Sequence, residues 1–497
     1  MDQRGQWDNR AAFILAAVGS AIGLGNLWRF PFKCYEHGGG AFLIAYVIAL
    51  ITIGIPLLLL EFSLGHRFRL AAPSAFRKVG RAFEWVGWWA VLVGFVIVTY
   101  YAVVMAWAVV YTGFSVTQAW GADPAGFFYG EVLGLTGGPF ELGGVRRPLL
   151  IGLGISWTLI ILAIWKSAKT VSKVVYLTVV LPWALLIIFI IRGVTLPGAA
   201  AGLHYYLAPI FGHLLNPALW GAAYGQVAYS VSIGFGIMIA YASFLPRRAN
   251  ITSSAVIIAV ADGLTSIAGG FAVFGTLGYY AQLKGLPVTE VLKGGPGLAF
   301  ITYPEVISQL PMARVFGLLF FLMLLALAVD SAFSLVEAVA AAVRDKWGLG
   351  HRASNFIVGG IAVSLGLIFT TGAGLYWLDI VDHFMEHFGL IAVLLVECIV
   401  LGWFHKTDQL RKHLNSVSKT QLGDWWPWFI RIVCPVILAA LLTNGLVREL
   451  GRPYEGYPIR ALVIAGWGVA ALLPLLSILF SLFRGHRRDP VEETTGG

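Results

Sequence analysis

The sequence predicts an all-α polytopic membrane protein of about twelve transmembrane helices, the first and sixth unwound at mid-membrane. Three observations predict this. Hydrophobic residues make up 58% of the 497 and charged residues only 12%, about half the usual quarter of a soluble domain. The apolar residues fall in runs of roughly 20, the length that crosses a bilayer as a helix. Two of these runs are interrupted by clusters of glycine.

The runs lie near 11–34, 38–65, 84–117, 148–166, 171–192, 216–245, 252–281, 314–344, 353–371, 377–404, 426–448 and 459–483. Met1-Asp2-Gln3-Arg4 has no signal-peptide layout, so the first run reads as an uncleaved helix. Inside it, Gly19-Ser20-Ala21-Ile22-Gly23-Leu24-Gly25-Asn26 places three glycines within seven residues. Each Gly costs a helix about 1 kcal/mol against Ala. Unwound backbone at that depth must be buried in protein or line a polar cavity. Its freed carbonyls would then serve a cation and its N–H groups an anion.

The sixth run carries a second break, Ser230-Val231-Ser232-Ile233-Gly234-Phe235-Gly236. One such span would be explained by a glycine helix packing closely on a neighbour. Two of them, five spans apart, point to a transporter of inverted repeats with its site at the midplane. Basic residues gather in loops 66–81, 166–173, 247–248, 344–352, 405–419 and 484–488. The loops between are poor in them, which puts both termini in the cytoplasm. The outer loops 118–147 and 282–313 are long, and the second holds an apolar stretch, 295–305, too short to span and read as a helical cap. The end of the chain, 489–497, reads as disordered.

The net charge of +9 therefore reports orientation rather than nucleic-acid binding. Three cysteines, Cys34, Cys398 and Cys434, give no disulfide framework. There is no phosphate-binding loop and no zinc-protease or nucleophile-elbow motif, and Gly23-Leu24-Gly25 lacks the strand of a dinucleotide fingerprint. Asn250-Ile251-Thr252 matches a glycosylation sequon but falls in a cytoplasmic loop. The expectation is no enzyme and no organic cofactor.

Five acids sit inside apolar runs: Glu61, Asp262, Asp330, Glu337 and Glu397. A charge at the bilayer centre costs at least ~2.5–3.5 kcal/mol and needs a partner. The runs holding Asp262 and Asp330 contain no Lys or Arg at comparable depth. The partner is then a metal cation, a proton or unwound backbone. Asn26, Ser230, Asp262 and Asp330-Ser331 offer hard oxygen ligands, and no His/Cys cluster argues for zinc or copper. For each acid alone, a protonated carboxyl hydrogen-bonded in a helix packing is the other reading. Tyr100, Tyr101, Tyr229 and Phe235 stand near the breaks, and Arg29 at the outer end of the first span could pair with Asp382.

Several stretches carry a resemblance over nearly the whole chain. They are Gly23-Leu24-Gly25-Asn26-Leu27-Trp28-Arg29-Phe30-Pro31, His37-Gly38-Gly39-Gly40-Ala41-Phe42, Gly225-Gln226 and Ser232-Ile233-Gly234-Phe235-Gly236. Gly297-Leu298-Ala299-Phe300-Ile301, Tyr303-Pro304-Glu305 and Asp330-Ser331 match as well. With these the chain resembles the neurotransmitter:sodium symporter family, and most of all its prokaryotic amino-acid members of the bacterial leucine-transporter type. The resemblance implies a cytoplasmic segment 1–10 with inner-gate residues and a five-helix repeat over 11–192. An inverted second repeat over 216–404 with the outer cap 282–313, two accessory helices over 426–483 and a tail 484–497 complete it.

It also implies two sodium sites. The first would use Ala21, Asn26, Ser230 and Asp262; the second Gly19, Ile22, Leu327, Asp330 and Ser331. A substrate carboxylate would rest on Leu24, Gly25 and Tyr101, in a pocket with Ala21, Gly23, Ile97, Tyr229, Ser230, Ser232, Phe235, Ser331, Ala332 and Leu335. Arg29 and Asp382 would form the outer gate, with Tyr101 and Tyr229 as its aromatic lid; Arg4, Trp7, Ser243 and Asp345 the inner one. Glu61 would support the second unwound segment.

Gly23 stands where monoamine transporters carry an Asp, which leaves room for an α-carboxylate and favours an amino acid. The remaining lining is apolar apart from Ser232 and Ser331, so a neutral, apolar or aromatic amino acid is expected. The family's chloride ligands fall on Tyr46, Gln226, Ser230, Ser266 and position 262, where Asp262 replaces the usual Asn. Two Na⁺ are balanced by Asp262 and Asp330, and a chloride beside Asp262 would meet like-charge repulsion in a low dielectric. Transport without chloride follows. The reading is a sodium-coupled symporter in the cell membrane of a prokaryote, its partners the amino acid, sodium and lipid, with no nucleic acid and no oligomeric state implied. An amino-acid sensor or a proton-coupled carrier is the alternative.

Overall fold

The computed structural model describes residues 6–165, 168–291 and 297–485. Helix covers nearly all of it, and among the described residues there is no strand beyond two isolated bridges, Gly39 with Pro209 and Val145 with Thr371. Among the described residues nine helices are long and apolar enough to cross a membrane, ten when the pair Arg10–Ala21 and Gly25–Glu36 is taken as one span. The other two expected spans coincide with Arg147–Ala163, of 17 residues, and with the broken pair Pro217–Ser230 and Ile237–Ser243. The cap is a short apolar helix, Leu298–Ser308. The expected disorder at 489–497 and the inner-gate Arg4 lie outside the described residues.

The first break forms where the glycines stand. Asn9 caps the helix Arg10–Ala21, its Oδ1 accepting from the Ala12 N–H at 2.8 Å. That helix ends when Ile22 turns extended (φ −81°, ψ 97°), and helix resumes from Gly25 at an angle of 51°. Pro31 follows directly on the π-helical turn Gly25–Arg29, inside the helix that resumes at Gly25.

The second break runs from Val231 to Gly236. Three of its residues have positive φ: Ser232 (58°), Gly234 (79°) and Gly236 (70°). The left-handed region is free only to glycine, so two glycines set the path and Ser232 is held there by its contacts.

Both breaks lie within one continuous hydrophobic core. The long helices Arg81–Thr117, Ile251–Lys284 and Ala313–Trp347 pack around them. All five expected intramembrane acids are buried. For Glu337 the structure replaces the protonated-carboxyl reading with an ion pair: Arg344 donates to it at 2.5 Å from two turns further along the same helix. A further buried pair, Lys346 with Glu84 at 2.6 Å, fastens the C-terminal end of Ala313–Trp347 to the N-terminal end of Arg81–Thr117.

Candidate functional site

The two breaks face each other across a cavity. Ser20, Ala21, Gly23, Gly25 and Asn26 line it from the first, and Tyr229, Ser230, Ser232, Phe235 and Ile237 from the second. Ile97 and Tyr101 close one side; Ser331, Ser334 and Leu335 close the other. None of these side chains is charged. The Leu24 N–H points at the Tyr101 hydroxyl at 3.4 Å. Ser232 and Ser331 both donate to the carbonyl of Ser20, at 3.1 and 3.2 Å, tying the two breaks and Ala313–Trp347 together. A Cβ at Gly23 would stand 2.6 Å from Ser331 Oγ and 3.1 Å from the Tyr101 oxygen. Glycine there keeps the cavity open. Of the expected lining, Ala332 is buried behind the wall rather than on it.

Beside the cavity lies a polar knot with no base in it. Asn26 Nδ2 is 2.7 Å from Asp262 Oδ1, 2.8 Å from Ser266 Oγ and 3.1 Å from Ser230 Oγ. Ser230 donates to both oxygens of Asp262, at 2.8 and 2.9 Å, and the Tyr46 hydroxyl reaches Ser266 at 3.4 Å. Four of the five expected chloride-site residues therefore converge. Gln226 does not join them: it is fully buried, and neither of its amide atoms has a hydrogen-bond partner. A fully buried carboxylate ringed by hydroxyl and amide groups is a place for a hard cation or for a proton.

Asp330 lines a second, smaller cavity with Gly19, Ile22, Leu327, Thr178, Val179 and Trp183. Its Oδ1 accepts from Thr178 at 2.6 Å, while Oδ2 is buried without a partner. An orphaned carboxylate oxygen in a dry site is costly unless something charged or protonated meets it. Gly19 lets it come close, since a Cβ there would be 2.5 Å from Oδ2. Ser331, expected in this group, turns its hydroxyl into the larger cavity instead. Thr178 and Trp183 carried no signal in the sequence, because each lies in an apolar run with nothing to mark its direction.

Above the larger cavity the Arg29 guanidinium lies over the Tyr229 ring, 4.5 Å from its centre. It reaches Asp382 at 3.3 Å, as expected, and also makes a close ion pair with Glu386, which sequence reasoning missed. Tyr100 donates to Asp382 at 2.6 Å. At the opposite end of the bundle Trp7 is buried, its Nε1 donating to the Tyr241 carbonyl at 3.0 Å and its N–H to that of Phe244 at 3.3 Å. Ser243 donates to its own helix, at Ala240, and Asp345 accepts the Ala71 N–H at 2.7 Å. Glu61 does meet the second break, its Oε1 accepting the Gly234 N–H at 2.5 Å.

Comparison with known proteins gives a consistent picture. The model of the sodium:neurotransmitter symporter family matches residues 4–124 and 121–486. An uncharacterized sodium-dependent transporter of Methanocaldococcus jannaschii is 39% identical over 479 residues, covering 96% of each chain. The human sodium- and chloride-dependent GABA transporter 2 is 31% identical over 99% of this chain and 88% of its own length. Its rat counterpart is 34% identical over 91% and 82%.

Proposed function

The chain belongs to the sodium:neurotransmitter symporter family, and on that premise we propose that it carries a neutral amino acid across the cell membrane with sodium, by alternating access. The observation that carries this reading is the cavity itself. It lies between two helix breaks, holds backbone and hydroxyl groups at one end, and has no charged side chain in its lining. The N–H groups of the first break and the Tyr101 hydroxyl would take a carboxylate. Ile97, Phe235 and Leu335 would take an apolar side chain, and Gly23 leaves the room that an α-substituted substrate needs.

Two sodium ions travel as co-substrates in this reading. Asp262 with Asn26, Ser230 and the Ala21 carbonyl would hold one; Asp330 with Thr178 and the carbonyls of Gly19, Ile22 and Leu327 would hold the other. Each carboxylate is buried, and no basic side chain pairs with it among the described residues, so a cation completes it. Because Asp262 already supplies a negative charge beside Tyr46 and Ser266, transport proceeds without chloride. The two breaks mark the first helices of two inverted five-helix repeats, with the termini in the cytoplasm.

The test is uptake of labelled neutral amino acids, GABA among them, into proteoliposomes of the purified protein. It is run with an inward Na⁺ gradient, with K⁺ in its place, and with gluconate replacing chloride. Uptake that needs Na⁺ and ignores chloride supports the whole reading. Saturable binding without accumulation under any condition refutes transport and leaves a sensor.

A further inference from the structure

The pair that closes the outer end of the cavity has a third member. Arg29 Nη2 contacts two carboxylates on successive turns of the helix Gly374–Phe404: Asp382, and Glu386 one turn deeper. The two are not equivalent. The Asp382 side chain is 28% exposed and has its own donor in the Tyr100 hydroxyl at 2.6 Å. That of Glu386 is 4% exposed, and Arg29 is the one permanently charged group paired with it.

Glu386 is shielded from water. His387 Nδ1 lies 3.6 Å from its carboxylate, in a ring that also takes the carbonyl of His383 as a partner, and Lys33 and His383 act on it from outside ion-pair distance. On the far side lies the helix Pro217–Ser230, where a Cβ at Gly225 would be 3.4 Å from Glu386 Oε1. Glu386 itself sits in a π-helical turn, Met385–Leu390, a local widening found often at functional sites.

A buried carboxylate stripped of its cation is left with an uncompensated charge, whereas a half-exposed one is met by water. Opening the cavity to the outside requires Arg29 to leave this position. The barrier to leaving is therefore set mainly at Glu386.

We propose that Glu386 is the carboxylate that holds the outer gate shut, and that Asp382, fixed by Tyr100, is the outer station to which Arg29 passes as the gate opens. This rests on the reading of the cavity as a substrate site reached from outside. Glu386 is a positioning residue: it touches Arg29 and not the substrate.

The experiment reads gate opening without substrate. A cysteine replaces Ile97, in the cavity wall below the gate, and the three native cysteines are buried. The rate at which a membrane-impermeant thiol reagent modifies Ile97→Cys from outside is measured in right-side-out proteoliposomes. Parent, Glu386→Gln, Glu386→Asp and Asp382→Asn backgrounds are compared.

Glu386→Gln is expected to raise the rate by about tenfold or more, and Asp382→Asn by no more than about threefold. Glu386→Asp, which keeps the charge on a shorter stem, is expected between parent and Glu386→Gln. Should Glu386→Gln not fold, Glu386→Asp alone decides, since a parental rate there overturns the proposal. An Asp382→Asn effect equal to or larger than that of Glu386→Gln overturns it as well. Labelling needs no transported substrate, so an error in the choice of amino acid leaves this result intact.

Discussion

Gly19→Ala tests the smaller cavity with a single methyl group. Built on the backbone, the new Cβ stands 2.5 Å from Asp330 Oδ2 and 2.8 Å from Val179 Cγ2. Ordinary contact begins near 3.4 Å, so the carboxylate must retreat by about 0.9 Å. It cannot do so freely, because its other oxygen is held by Thr178 at 2.6 Å. Overpacking of this kind costs roughly 1–3 kcal/mol. Alanine favours helix over glycine by about 1 kcal/mol, so the fold should survive and the strain should fall on the site. If that strain is felt when the cation binds, the half-saturating Na⁺ concentration rises by about 5–150-fold. The assay is Na⁺-dependent uptake or binding across a sodium titration, with thermal unfolding as the control for folding. Half-saturation by substrate at saturating Na⁺ should stay within about twofold of the parent. A parental sodium curve from a well-folded variant would refute the assignment of Asp330 to a sodium site.

Three further perturbations follow from other contacts. Asp262→Asn removes the carboxylate beside Tyr46, Ser230 and Ser266 and should make uptake chloride-dependent; uptake still indifferent to chloride would exclude Asp262 as the fixed substitute for the ion. Glu61→Ala removes the acceptor of the buried Gly234 N–H, a loss of about 1–3 kcal/mol, and should lower both the unfolding midpoint and the uptake rate. The Pro246 carbonyl can only accept from His66 Nε2, so the His66 Nδ1 of a neutral ring accepts a hydrogen bond from His413 Nε2–H at 2.9 Å. Burial first, then His66 and Arg67, holds His413 down at about 4. Between there and the ordinary value near 6.5, the undocked state binds more protons. Docking of the helix Thr407–Val417 is thus fully supported above about pH 6.5 and weakens as pH falls towards 4. Amide exchange in that helix, corrected for intrinsic rate, should quicken between pH 7.5 and 5.0 (assay conditions of roughly these values), and the difference should vanish in His413→Gln. Equal protection at both pH values would refute it.

Much of this molecule is set by sequence features that act locally. Glycines within apolar runs break a helix wherever they are placed, so both breaks were legible before any coordinates. The same holds for the acids without bases in reach, because the cost of a bare charge in lipid does not depend on the fold. The positive φ angles of Gly234 and Gly236 need glycine, and glycine is what the chain supplies there.

What the sequence could not settle depends on direction across the bundle. Glu386 reads in sequence as one polar residue near the outer end of a helix, and only packing turns it inward onto Arg29. Thr178 is an ordinary hydroxyl in an apolar run until its helix sets it 2.6 Å from Asp330. The family resemblance assigns Ser331 to the second sodium site together with Asp330. Successive residues on a helix face different ways, and its hydroxyl opens into the other cavity. Glu337 had a protonated carboxyl as its other reading, and the helix brings Arg344, at the start of a basic loop two turns away, onto it instead. Local chemistry determined where the backbone breaks and which charges need partners. The tertiary structure decided who those partners are, since partnership requires side chains from distant segments to point into the same few ångströms.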